Sequence, residues 1–94
     1  MNATANPRPK VPLGRIVATP HALEVLSQED ILSSLLRHEA GDWGEVPPKD
    51  REANDRALIE GTRILSVYPS NGVRFWIITE ADRSSTTVLM PEDY

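Results

Sequence analysis

The sequence contains no cysteine, which excludes disulfides, thiolate nucleophiles and cysteine-ligated zinc. Basic residues are in deficit: ten Lys and Arg stand against fourteen Asp and Glu, for a net charge of −4. That balance disfavours long-range attraction to nucleic acid or to an anionic membrane. No apolar run approaches the roughly 20 residues of a membrane-spanning helix, and the first residues lack the apolar core of a signal peptide. The expectation is a cytoplasmic protein without membrane contact. No nucleophile elbow, phosphate-binding glycine loop or dinucleotide fingerprint is present, so no cofactor is expected. A chain of 94 residues makes one domain that buries about 60 to 70% of its unfolded surface, which leaves little room for a deep cavity.

What is present reads as a folded protein, with 39% hydrophobic and 26% charged residues. The organising stretch is Gly72 to Tyr94. Its run Phe75 to Ile78 is aromatic and β-branched, as in a central strand buried on both faces. Thr62 to Tyr68 precedes it, and Pro69-Ser70-Asn71-Gly72 is a hairpin signal. The turn Glu80-Ala81-Asp82-Arg83 then leads into a third strand, Ser85 to Met90. Upstream, Thr19-Pro20 starts a short helix to about Leu26. Ser27 to Asp30 resembles a capping box opening a second helix that Gly41 ends. A third helix spans about Lys49 to Glu60, with Gly61 as its cap. The reading is α+β: two to three helices on a three-stranded antiparallel sheet, with Leu13 to Ala18 as a candidate fourth edge strand. Residues 1–12, rich in proline, read as a disordered tail and 13–94 as the domain.

Chemistry-bearing residues are few, and each has two readings. Trp43, between Gly41 and Gly44, either closes the core or stacks on a ligand. Asp50 and Asn54, one turn apart, either hold a ligand or solvate the helix. His38, Glu80 and Arg83 supply an acid, a base and a phosphate clamp if they converge; His38 also fits a hydrogen-bonded core histidine. The spacing of His38, Glu39 and Asp42 is not that of a strong metal motif, and no metal is expected. Arg8 and Lys10 form a small basic arm.

Gly41-Asp42-Trp43-Gly44, Asn54 with Ala57-Leu58, Arg63 to Ser66, Trp76 to Thr87 (WIITEADRSSTT) and Pro91 to Tyr94 together resemble a family of small bacterial proteins described as plasmid-related. The resemblance covers about Val17 to Tyr94, with Asp93 standing where glutamate is expected. It implies a mobile-element context and carries over no catalytic residue. The order of elements also resembles the RelE and ParE toxins, an analogy of fold that does not carry function.

The resulting expectation is a non-enzymatic protein-binding module whose partner is a host or mobile-element protein, in an accessory or anti-defence role. Its binding residues would be Asp42, Trp43, Glu80, Asp82, Arg83 and Tyr94, with aromatic and Arg side chains as anchors. The enzymatic alternative is a RelE-like endoribonuclease using His38, Glu80 and Arg83.

Overall fold

A computed structural model describes residues 9–94. Strand β1 (Arg15–Ala18) is followed by helices α1 (Pro20–Val25), α2 (Gln28–Glu39) and α3 (Pro48–Glu60). Strands β2 (Ile64–Ser70), β3 (Val73–Thr79) and β4 (Ser85–Leu89) and a 3-10 turn (Pro91–Asp93) complete the chain. The strands form one sheet in the order β1-β4-β3-β2. The chain is thus α+β, with three helices and a mixed four-stranded sheet. β2, β3 and β4 form an antiparallel meander, but β1 lies parallel to β4, Arg15 opposite Ser85. The expected three-stranded antiparallel sheet is thus one part of a mixed sheet, and the candidate edge strand joins it parallel. A parallel partner has to reach β4 through a long crossover, and all three helices lie in that crossover.

Local signals set the element ends. The Thr19 hydroxyl accepts from the N–H of Ala22 and the Ser27 hydroxyl from the N–H of Asp30, both at 3.1 Å. The reciprocal half of the expected capping box is not made. The Asp30 carboxylate instead accepts the Ser70 hydroxyl at 2.6 Å, tying the start of α2 to the end of β2. Asn71 and Gly72, at φ 50° and 80°, make a two-residue hairpin turn of the type that matches strand twist. β2 therefore runs on through Pro69, two residues beyond the expected limit.

Along β3, Phe75 and Ile77 face α1 and α2, packing with Ala22, Leu26, Ile31 and Leu35. Trp76 and Ile78 point to the opposite face, by the period of two. A second cluster, Val11, Trp43, Val46, Ala57 and Ile64, fills the space beside β2 and α3. The expected tail over 1–12 is corrected at its inner end, while residues 1–8 lie outside the described residues. The N–H groups of Lys10 and Val11 both donate to the Glu39 carbonyl, at 2.7 and 3.1 Å. They satisfy a helix-end acceptor, and Val11 is fully buried.

β2 is an edge strand, yet its outward backbone is engaged. The Asn54 side chain donates to the Leu65 carbonyl at 2.8 Å and accepts from the Leu65 N–H at 3.3 Å. Two residues on, the Val67 N–H donates to the Trp43 carbonyl, and the Val67 carbonyl accepts from the Glu45 N–H. The next outward position is Pro69, which has no N–H. Such an edge resists pairing with a further strand.

Candidate functional site

Of the residues of the nuclease reading, His38 is sealed in the core while Glu80 and Arg83 lie nearer the surface. His38 leaves α2 into the covered face of the sheet with no exposure. Its Nδ1 lies 2.6 Å from the Ser66 hydroxyl and its Nε2 2.8 Å from that of Thr79. Thr79 is 2.7 Å from the Thr86 hydroxyl, which donates to the Leu13 carbonyl at 2.7 Å. That last donation orients the whole chain. Thr86 accepts from Thr79, Thr79 accepts from the Nε2–H of His38, and Nδ1 accepts from Ser66. The ring is neutral, and burial, helped by the Arg83 cation, lowers its pKa from 6.5 to about 4.

Arg83 itself is spent on backbone. Its guanidinium donates to the carbonyls of Thr62, Ala57 and Glu80, at 2.7, 2.9 and 3.1 Å, closing the end of α3 against the β3–β4 turn. Asp82 braces the same turn by accepting the Ser84 N–H at 3.0 Å. The Glu80 side chain engages Arg63 instead. Each polar residue of the Trp76 to Arg83 run that was read as a reactive group thus has a structural partner.

The Gly41–Gly44 segment is also architectural. Gly44 has φ +74°, and a Cβ there would lie 2.0 Å from the Val67 carbonyl oxygen, so only glycine fits this close approach. Trp43 is 3% exposed, donates its indole N–H to Asp55 at 2.9 Å and stands edge-on to His38 at 5.8 Å. The expectation that Trp43 anchors a binding surface is therefore corrected: its ring closes the core. Asp42 is held by Arg37 at 2.8 and 3.2 Å, which keeps its carboxyl below the usual range. Among the described residues no group of three His, Asp or Glu side chains converges as a metal site requires. No helix among them is long and apolar enough to cross a membrane.

The remaining concentration of reactive surface lies on the opposite face of the sheet, around Trp76. Tyr94 is 70% exposed and meets the half-buried Trp76 edge-to-face, with ring centroids 5.7 Å apart. Its hydroxyl accepts from Arg63 at 2.7 Å, and Arg63 also pairs with Glu80 at 3.1 Å. The backbone beneath Tyr94 is fixed by Asp93. That carboxylate accepts from the Thr19 hydroxyl at 2.7 Å, from the Met90 N–H at 3.0 Å and pairs with His21 at 2.9 Å. These contacts hold Asp93 below the ordinary carboxylate range and raise the pKa of His21.

Arg63 also borders a shallow cleft of about 220 Å³, lined by Asp50, Ala53, Asn54 and Leu65. It falls below the usual size of a small-molecule pocket. Of the expected binding residues, the structure brings Glu80 and Tyr94 together and separates their surroundings from the buried Trp43. Sequence reasoning missed Trp76 and Arg63 as members of the cluster. The alternation Phe75-Trp76-Ile77 was the signal for Trp76; for Arg63 there was none. No protein-family model, curated protein or solved structure matches the chain.

Proposed function

We propose that this chain is a non-enzymatic protein-binding module that docks through the Trp76, Tyr94, Arg63 and Glu80 cluster. The observation that carries the reading is the exposed Tyr94 ring, pre-set by Trp76 on one side and by Arg63 on its hydroxyl. Tyr, Trp and Arg dominate the energetics of protein interfaces. A ring already fixed in place loses little entropy on binding. The net charge of −4 favours a protein over a nucleic-acid partner. In the mobile-element context that the sequence resemblance implies, the partner is a host or element-encoded protein, and the role is accessory or inhibitory.

The nuclease alternative draws no support from His38, whose two ring nitrogens are bonded inside the core. The test is capture of a partner from the host cytoplasm by the tagged protein, followed by titration with the purified partner. Tyr94→Ala combined with Arg63→Ala should weaken binding at least 30-fold, on the order of 2 kcal/mol, with unchanged melting temperature. Equal affinity of the folded double variant would overturn the reading. Growth arrest on expression of the wild type, relieved by His38→Ala in a variant that still folds, would revive the nuclease.

A further inference from the structure

The two edges of the sheet are built differently, and the difference points to a second copy of the chain. At β2 each outward backbone position is filled by Asn54, by the Trp43–Glu45 loop or by a proline. At the other edge, β1 ends the strand order. The N–H groups of Arg15 and Thr19 donate inward to Ser84 and Val88 of the β4 side, each at 3.0 Å. Because successive residues of a strand alternate in direction, Ile16 and Ala18 present their N–H and C=O groups outward. Beside them Ile16 is 52% and Val17 38% exposed; β1 is a short strand whose one charge is Arg15, and it carries no Pro or bulge to block a further strand.

We propose that β1 is a dimer edge, at which two copies pair antiparallel about a two-fold axis at Val17 and join their sheets into one. In this register Ile16 of each copy lies opposite Ala18 of the other, giving about four main-chain hydrogen bonds, and Val17 faces Val17 in the close, non-hydrogen-bonded pair. The charges select a second copy over an unrelated strand. Arg15 is exposed and, among the described residues, takes part in no ion pair. In the dimer it stands opposite Thr19, whose hydroxyl is bonded to the Asp93 carboxylate. Arg15 and Thr19 lie on the same face of the strand, so the cation of each copy meets the anion of the other, twice. An edge with a cation at one end and an anion at the other is self-complementary, as an isologous interface must be. This inference is independent of the docking cluster, none of whose residues lies on β1.

The absence of cysteine makes the register directly testable. Val17→Cys places two thiols across the axis with Cα atoms about 4.5 Å apart, within disulfide range. Arg15→Cys places them roughly 13 Å apart, outside it. Under mild oxidation Val17→Cys should form a covalent dimer, and Arg15→Cys should not. By sedimentation equilibrium the wild type should show a concentration-dependent mass approaching two chains, and Val17→Asp, which opposes two carboxylates at the axis, should remain monomeric. A wild-type mass of one chain up to millimolar concentration would overturn the proposal. So would equal cross-linking of the two cysteine variants, which needs no folded Val17→Asp to interpret.

Discussion

Acidification from pH 7.5 to 5.0 should remove about 2 kcal/mol of folding stability through His38 alone. The fold holds this ring neutral: a proton added at Nδ1 would meet the hydroxyl that now donates to it, in a fully buried position and with the Arg83 cation nearby. Its pKa is lowered from 6.5 to about 4. The unfolded chain therefore takes up a proton that the folded chain refuses. The His38 contribution is complete above about pH 6.5, declines as the pH falls, and levels off below about 4. Across the whole window the loss is roughly 3 kcal/mol, at about 1.4 kcal/mol per pH unit. A domain of this kind has only about 5 to 15 kcal/mol in total, so the change is large. The assay is urea unfolding followed by far-UV circular dichroism at several pH values, for the wild type and His38→Gln. The variant is less stable at neutral pH, because it breaks the Ser66–Thr79 bridge, but should lose little more between pH 6.5 and 5. His21, whose raised pKa acts in the opposite sense, is common to both proteins and cancels. Parallel stability curves for the two proteins would refute the argument.

Four further outcomes test the fold. Gly44→Ala drives a Cβ into the Val67 carbonyl at a left-handed backbone position; thermal melting should show a loss of about 3 kcal/mol or more. Asn54→Ala frees both backbone groups of Leu65 and should cost about 1 to 3 kcal/mol in urea unfolding, with light scattering rising as the β2 edge opens. Arg83→Asn tolerates the φ of 62° while removing a guanidinium from three carbonyls. The expected loss is about 2 kcal/mol, with hydrogen exchange accelerated at the end of α3. Tyr94→Ala, at an exposed site, should change the melting temperature by only a degree or two, so any loss of binding in that variant belongs to the interface.

What could be read from the sequence was what neighbouring residues decide. Thr19, Ser27, Gly61 and the Asn71-Gly72 turn act on backbone within a few positions, and the structure places all four where the sequence did. Asp30 shows the limit: its local pattern suggested a capping box, but a hydroxyl 40 positions away outcompeted the cap. The direction of β1 depends on where three helices leave the chain, which no pattern inside Arg15–Ala18 encodes. Trp43 carried no mark of inside or outside, whereas the alternation along β3 sets Trp76 on the face opposite Phe75 and Ile77. Trp43 is drawn in by an acceptor on α3, while Trp76 is turned out by strand alternation. His38, Glu80 and Arg83 offered the right chemistry, yet proximity and access, which sequence does not contain, give His38 and Arg83 structural roles and leave Glu80 on the surface beside Arg63.

The pairing of β1 with β4 also bears on how the chain is made. Arg15 leaves the ribosome about seventy residues before its partner Ser85. At about 5 to 20 residues per second, β1 waits roughly four to fourteen seconds for the strand it joins. The three helices and the β2–β3 hairpin can form in that interval from near neighbours, whereas β1 cannot be placed until β4 has been made. A short, apolar, unpaired strand is thus the last piece of the sheet to find its position, and the one a nascent chain is most exposed to losing to another strand.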